Sequence, residues 1–255
     1  MTPAPTSQPA ESSSVLKGVL SRVRLRRSAP LQTLAPILVP TDTNARLATS
    51  HRLIWALFPG SPEQERDFLW REDMPDGALA TGVTFTVLST RPPANDHNLF
   101  DIASKPFAPE LAAGDHLGFL LRVNPVVSRR TSEAQKRGKR LDPIAARIKQ
   151  FPETERPGKR DAVVQEVARD WLTAQGERHG FRLPIPESVR AEDDWRRVKR
   201  EKGQGFMQFS VVDLQGRLEV TDPVRFLAAL SAGFGKAKAF GCGLMLIRRL
   251  PAPER

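Results

Sequence analysis

Alternating apolar and polar residues in the first half of the chain predict strands arranged around one helix. The segment 15–27 places valines and Leu25 on one side and arginines on the other, as in a strand with one solvated face. A helix with an apolar stripe is predicted to begin at Asp42 or Thr43 and to end at Pro59-Gly60. Further strands are predicted over 66–71, 83–88 and 99–107. This order is close to a ferredoxin-like β-α-β-β-α-β unit whose second helix is shortened or lost.

The second half repeats this order of elements more completely, although its residues show no repeat of the first half. Gly203 and Gly205 are predicted at the tip of a hairpin, and the strands that follow it are predicted to pair around Gln215-Gly216. The predicted elements are, in order, a strand over 116–123, a helix over 161–180, a basic hairpin arm over 195–202, strands over 206–212 and 217–220, a helix over 223–233 and a strand over 243–249.

These patterns predict an α+β protein with two tandem ferredoxin-like (RRM-like) domains. We expect an N-terminal domain over 15–108, a linker over 109–114 and a C-terminal domain over 115–250. Residues 1–14 are rich in Pro, Ser and Thr and lack the basic and apolar regions of a signal peptide, so they are predicted to be a disordered tail. Many RNA-binding modules share this topology, but a fold alone does not establish function.

The charge balance narrows the class of partner. The net charge is +10, so an anionic partner is expected, with nucleic acid first and an acidic membrane surface second. No apolar run approaches the roughly 18 residues of a membrane-spanning helix. Cys242 is the only cysteine, which excludes an intrachain disulfide and a cysteine-rich zinc site and fits a reducing, cytoplasmic location. With four histidines, a histidine-rich metal site is not expected, and no cofactor is predicted.

A loop rich in glycine and lysine lies between the last predicted helix and strand. Glycine lets a backbone approach a ligand closely and leaves amide N–H groups bare, and lysines add positive charge. The loop therefore suits a polyanion such as an RNA backbone, or it is a plain helix-to-strand connection whose glycines relieve crowding. Its glycines are Gly233, Gly235, Gly241 and Gly243, and its lysines are Lys236 and Lys238.

Two basic clusters extend the predicted nucleic-acid surface. Either is a solvated surface taken alone, but two on a strongly basic chain beside the Gly/Lys loop favour contacts with phosphates. The first cluster comprises Arg129, Arg130, Lys136, Arg137, Lys139 and Arg140 in a long polar loop. The second comprises Arg196, Arg197, Lys199, Arg200 and Lys202 in the predicted hairpin.

His51 is the candidate catalytic residue because it lies on a well-marked helix beside Arg46 and Arg52. An imidazole can both take and give a proton, and an RNase without metal needs such a group together with positive charge. The alternative is that His51 packs at the edge of the apolar stripe. The adjacent carboxylates at 192–194 could suggest a metal-dependent nuclease, but we interpret them as surface residues.

Several segments resemble one family, the CasE endoribonucleases that process repeats for type I-E CRISPR Cascade. The most specific are Gly-Phe-Gly-Lys-Ala-Lys-Ala-Phe-Gly-Cys-Gly-Leu over 233–244 and Arg-Val-Asn-Pro over 122–125. Other matching segments are 20–25, 50–58, 66–70, 87–89, 105–107 and 216–220. The resemblance implies tandem ferredoxin-like domains and metal-independent cleavage of the repeat stem-loop in precursor CRISPR RNA. The 2′-hydroxyl would attack the scissile phosphate and leave a 2′,3′-cyclic phosphate.

The resemblance also implies roles and partners. The family's active-site histidine falls on His51. The cluster over 196–202 matches the basic ribbon with which family members hold the RNA hairpin, and the loop over 129–140 matches another basic family segment. The product would stay bound at its 3′ hairpin beside the other Cascade subunits, with target DNA met only through the complex. Some members carry a Tyr and a Lys near the histidine where this chain has Ala48 and Ala56. A non-catalytic RNA-binding scaffold subunit is therefore the alternative function.

Overall fold

The computed structural model describes residues 17–26, 28, 37–38, 40, 42–61, 64–73, 83–129, 139–199 and 206–251. The tail predicted over 1–14 and the hairpin tip at Gly203 and Gly205 lie outside these residues. None of the helices in the described part of the chain is long and apolar enough to cross a membrane.

The N-terminal half forms a four-stranded antiparallel sheet in the order β2-β3-β1-β4. Its strands are β1 (Gly18–Leu25), β2 (Phe68–Asp73), β3 (Thr84–Ser89) and β4 (Phe100–Phe107). This is the ferredoxin-like order, with one helix between β1 and β2. The described residues between β3 and β4 form no helix, in line with the prediction that the second helix is shortened or lost.

Helix α1 (Thr43–Trp55) begins where the sequence predicted. The carboxylate of Asp42 accepts a hydrogen bond from the backbone N–H of Ala45 at 2.7 Å, which satisfies one of the free donors of the first turn. Leu47 and Ile54 are buried against the sheet, so the apolar stripe sets the orientation of the helix.

The C-terminal half forms a five-stranded sheet in which the order β11-β5-β10-β8 is joined by β9 pairing with β10. Helices α3 and α4 connect its strands, as in the predicted unit. The strands are β5 (His116–Val123), β8 (Phe181–Arg182), β9 (Arg190–Lys199), β10 (Phe206–Val220) and β11 (Met245–Arg249). The remaining elements are strands β6 (Val127–Arg129) and β7 (Lys139–Leu141) and helices α2 (Pro143–Ile148), α3 (Arg156–His179) and α4 (Pro223–Ala232).

The prediction of two strands paired around Gln215-Gly216 is wrong, because β10 runs unbroken through this dipeptide. A Cβ at Gly216 would lie 3.2 Å from the side chains of Phe119 and Val189, so this glycine accommodates tight packing within the strand. The prediction of a loop over 129–140 is wrong at both ends, because the first residue of this segment lies in β6 and its last two lie in β7, and these strands pair. The acidic residues 192–194 lie in β9 and not in a loop.

The two sheets share apolar contacts. Phe209 and Val211 of β10 and Cys242 belong to the same buried cluster as Leu47 and Ile54 of α1. Helix α1 also packs against β9. The segment 109–114 lies between β4 and β5, and the domain limits themselves stay predictions. The joint core places α1 and its histidine beside the C-terminal half.

Candidate active site

His51 is fixed by the Gly/Lys loop. Its Nδ1 lies 2.8 Å from the carbonyl oxygen of Ala239, a contact between residues 188 positions apart. Because a carbonyl can only accept, Nδ1 carries a proton and donates it. No described residue forms a hydrogen bond with Nε2, so this nitrogen is the one available for exchanging a proton with a ligand.

Two aromatic rings hold the half-buried imidazole. The ring of Trp55, one turn further along α1, meets it edge-on with centroids 6.2 Å apart. The ring of Phe240 lies 5.7 Å from it and 5.6 Å from Phe209 of β10. One hydrogen bond and two ring contacts thus restrict the orientation of His51.

The Gly/Lys loop owes its shape to glycines at positive φ. Gly233, Gly235, Gly241 and Gly243 have φ between 68° and 94°, a region that other residues rarely adopt. The N–H of Phe234 donates to the carbonyl of Gly243 at 2.9 Å, which closes the loop on itself. The positive φ values account for glycine at these positions under either predicted role, RNA contact or a plain connection. The same connection also delivers the Ala239 carbonyl to His51.

The motif Arg-Val-Asn-Pro supports this loop from the neighbouring strand. The backbone carbonyl of Arg122 accepts the N–H of Gly243 at 2.7 Å, and that of Asn124 accepts the N–H of Lys236 at 3.3 Å. The side chain of Asn124 is buried and donates to the carbonyl of Ser210 at 3.0 Å. The motif is therefore a structural support of the candidate site.

The guanidinium of Arg122 joins the two halves of the molecule. It binds Asp213 with its closest oxygen at 2.9 Å and donates to the carbonyl of Glu72 in β2 at 3.1 Å. Burial opposes its charge, but the hydrogen bonds and the charge of Asp213 outweigh burial and raise the pKa of Arg122. This bridge fixes the edge of the first sheet against the strand that carries the motif.

The two arginines predicted to assist His51 differ in their surroundings. Arg46 pairs with Glu72 at 3.0 Å, and both side chains are largely buried. Arg52 is exposed, and its Nε lies 3.4 Å from the carbonyl of Ala48. At about 100° per residue, Arg52 is about a quarter turn from His51 on α1 and Arg46 more than a third of a turn. Arg52 is thus the less neutralised of the two cations.

The two loop lysines also differ. The Nζ of Lys238 donates to the carbonyl of Ala232 at 2.7 Å, at the carboxyl end of α4, where a cation is favoured. Burial, followed by the charges of Arg66 and Lys236, lowers the pKa of Lys238. The side chain of Lys236 is exposed. The loop therefore carries two lysines shortly before Ala239, one exposed and one bound to the end of α4.

The basic clusters are described only in part. The backbones of Arg129, Lys139 and Arg140 lie in the β6-β7 pair, and Arg140 is exposed. The backbones of Arg196, Arg197 and Lys199 lie in β9, the strand that packs against α1. Arg130, Lys136, Arg137, Arg200 and Lys202 lie outside the described residues. The structure therefore brings α1 together with β9, the strand that carries part of the second cluster.

One of the acidic residues of β9 is engaged in an ion pair and is not at the surface as predicted. Asp193 is largely buried and pairs with Arg160 of α3. Within the described part of the chain, no group of three or more His, Cys, Asp or Glu side chains is placed to hold a metal ion. The chemistry that the site itself offers is proton transfer by an imidazole in positively charged surroundings.

The fold and the site together define the class of protein. It has two tandem ferredoxin-like units and a candidate site built on one histidine, which a glycine-rich loop holds. Residues 19–249 match the sequence profile of the family described as CRISPR associated protein. The chain therefore belongs to this family of CRISPR-associated proteins, and its relatives place it with the CasE-type members.

Named relatives give the same result. The chain is 31% identical to the CRISPR-associated endoribonuclease Cse3 of Thermus thermophilus, over 77% of this chain and 87% of the relative. It is 24% identical to the CRISPR system Cascade subunit CasE of Escherichia coli, over 85% of this chain and 99% of the relative. Among solved structures, Thermus thermophilus Cse3 bound to an RNA representing a pre-cleavage complex has a TM-score of 0.62 at 27% identity, covering 91% of this chain and 99% of that one.

Sequence reasoning missed the contributions of Ala239, Phe240 and Arg122. The first two lie in a loop that was singled out for its glycines and lysines. The third belongs to a motif quoted only for its resemblance. An apolar residue inside a loop of small and charged residues was the available signal for Phe240, because such a residue needs a packing partner.

Proposed function

We propose that this protein is a metal-independent endoribonuclease that cleaves CRISPR repeat stem-loops in precursor CRISPR RNA. It acts in the cytoplasm, stays bound to the 3′ hairpin of the product, joins the other subunits of Cascade and meets target DNA only through the complex. One observation carries the catalytic part, the imidazole of His51 held through Nδ1 by the Ala239 carbonyl. The names of the relatives, an endoribonuclease and a Cascade subunit, support the substrate and the partners.

In the proposed reaction the 2′-hydroxyl oxygen attacks the adjacent phosphorus and the bond from phosphorus to the 5′-oxygen breaks. Protonated His51 donates from Nε2 to the leaving 5′-oxygen as general acid, and the proton of the 2′-hydroxyl passes to solvent. The products are a 2′,3′-cyclic phosphate and a 5′-hydroxyl. The hydrogen bond from Nδ1 to Ala239 stays in place throughout and stabilises the charged imidazole.

Positive charge around His51 would stabilise the extra negative charge of the transition state. We assign this role to Arg52 and, to a smaller extent, to Arg46, because Glu72 already neutralises part of the charge of Arg46. Lys236, Lys238 and the two basic clusters would hold the phosphates of the stem-loop. The four loop glycines would let the RNA backbone approach the loop closely.

Incubation of the protein with its cognate repeat RNA in excess EDTA tests this function. We expect one cut, with a cyclic-phosphate end on the upstream fragment. A repeat RNA with 2′-deoxyribose before the scissile phosphate should bind and stay intact, because the nucleophile is missing. Cleavage only after adding a divalent metal would contradict the mechanism. Retention without any cleavage would support the scaffold alternative, which Ala48 and Ala56 motivate.

Phe240 is expected to position His51 without touching the RNA. Replacing it with alanine removes one of the two rings against the imidazole, so the single-turnover cleavage rate should fall about 10- to 100-fold. The dissociation constant for 2′-deoxy RNA should stay within about twofold, because no phosphate contact is lost. Phe240→Leu should restore part of the rate by refilling the space between His51 and Phe209.

The matched control is Phe151→Ala, which removes an aromatic ring that packs at the edge of the other core cluster. It should lower the melting temperature and leave the rate per folded molecule unchanged. Equal rate losses in both variants, each in proportion to unfolding, would show that Phe240 has only a structural role.

A further inference from the structure

Arg66 is a cation without a counter-charge among the described residues. Its Nε is buried and has no hydrogen-bond partner there. The adjacent carboxylate of Asp67 is engaged by Arg91, at 2.8 Å. Burial lowers the pKa of Arg66. A buried guanidinium donor without a partner costs free energy, so it needs an explanation, and a bound anion is one that fits.

The side chain of Arg66 lines an open cleft of about 240 Å³. The cleft lies where β1 and β2 begin and β3 ends, beside the carboxyl end of α4. Besides Arg66, its polar lining includes Lys17, Ser89, Thr90 and Ser231. Lys17 is a second cation, and the exposed Ser231 has a hydroxyl group, so both are suitable partners for the oxygen atoms of a phosphate. The hydroxyl groups of Ser89 and Thr90 already donate within the protein, to the Arg91 carbonyl and to Asp67.

This cleft adjoins the candidate active site through Lys238. The Nζ of Lys238 donates to the carbonyl of Ala232, a residue that lines the cleft, at 2.7 Å. Lys238 precedes Ala239, whose carbonyl accepts from His51. Among the described residues, neither Arg66 nor either loop lysine forms an ion pair with a carboxylate. Arg66 and the two lysines of the loop that holds the imidazole are therefore cations with no paired carboxylate in the described part of the chain.

We propose that Arg66 binds one backbone phosphate of the RNA next to the scissile position, with Lys17 and the hydroxyl group of Ser231 beside it. The guanidinium offers a planar fork that a phosphate accepts with two oxygens, and this pairing would satisfy the buried Nε. This inference rests on the proposed function, because the ligand is the same RNA. It adds a phosphate subsite that neither basic cluster contains, and it supplies a cation to a chain that has alanine at position 56.

The test combines Arg66→Gln with a methylphosphonate scan of a cleavage-blocked 2′-deoxy repeat RNA, so that one phosphate charge at a time is removed. In the wild type, one methylphosphonate beside the scissile position should weaken binding about 10- to 100-fold. Arg66→Gln should weaken binding of the unmodified RNA similarly. The methylphosphonate at that position should have no further effect in the variant, while all the others keep theirs.

The salt dependence of RNA binding gives a second, independent measurement. The slope of the logarithm of affinity against the logarithm of salt concentration should become shallower by roughly 0.7 to 0.9 in Arg66→Gln, as expected for one phosphate contact. The control is Arg26→Gln, which removes the same charge from an arginine that already pairs with Asp101 at 2.8 Å. It should leave both the affinity and the methylphosphonate pattern unchanged.

Each outcome has a distinct meaning. If every methylphosphonate has the same effect in the wild type and in Arg66→Gln, the subsite is refuted while the proposed function stands. If wild-type protein neither binds nor cleaves repeat RNA, the proposed function fails first. If Arg66→Gln does not fold, Arg66→Lys is scanned instead, and a coupling as large as in the wild type would refute the bidentate contact. The melting temperature of free Arg66→Gln should not fall, because the variant removes an unpaired buried charge.

Discussion

His51→Ala is expected to lower the single-turnover rate of repeat-RNA cleavage by about 10² to 10⁴-fold, the usual contribution of a general acid or base. Binding of the same RNA should stay within about twofold, because the imidazole acts on the leaving oxygen and contributes little to holding the phosphates. The variant removes the hydrogen bond to Ala239 as well. Its melting temperature must therefore be measured beside its rate, with both proteins assayed well below their transitions.

The matched control is His97→Ala, which removes an exposed histidine in the turn between β3 and β4. It should cleave at the wild-type rate. Cleavage by His51→Ala at the wild-type rate would show that another residue transfers the proton. Lost cleavage together with lost binding would indicate that the site has collapsed.

The surroundings of α1 show how far local sequence signals extend. The capping residue Asp42, the apolar stripe and the position of His51 could all be predicted, because each depends on neighbours within a few residues. The succession of strands along the chain could be predicted from alternation, apart from the break expected at Gln215-Gly216. Both sheets have the ferredoxin-like order. What makes His51 a candidate acid could not be predicted in this way. The carbonyl that fixes its tautomer comes from a loop 188 residues away.

Gly216 and Arg122 show the same limit for packing and for charge. A Gln-Gly dipeptide is typical of a turn, but in β10 the glycine admits the neighbouring side chains of Phe119 and Val189. Arg122 alternates correctly in a strand, yet nothing local shows that it reaches Glu72 in the other half of the molecule. Tertiary contacts outweigh local preference at both positions. The sequence indicated that the glycines of the Gly/Lys loop are important. It could not show why each position needs glycine, because that depends on the surrounding backbone.

Gly243→Ala is the second variant for which a large effect is expected, because two costs coincide at this position. Its φ of 94° strains any residue with a side chain. A Cβ would also lie 2.7 Å from the backbone carbonyl oxygen of Phe234, which cannot rotate away as a flexible side chain could. Together we expect about 3 kcal/mol lower free energy of unfolding, measured by denaturant titration. Gly114→Ala is the control for strain, since its φ is 89° with nothing within 4 Å, and it should lose only about 1 kcal/mol.

The cleavage rate of Gly243→Ala distinguishes a displaced loop from a general loss of stability. Gly243 accepts the N–H of Phe234 and donates to Arg122, so a displaced backbone here shifts the turn that presents Ala239 to His51. Under conditions where Gly243→Ala is fully folded, its cleavage rate should still fall at least about tenfold, because a misplaced acid loses the geometry of proton transfer. Gly114→Ala should cleave normally under the same conditions. If folded Gly243→Ala cleaves as fast as the wild type, the loop does not position the imidazole, and the Ala239 contact is incidental to catalysis.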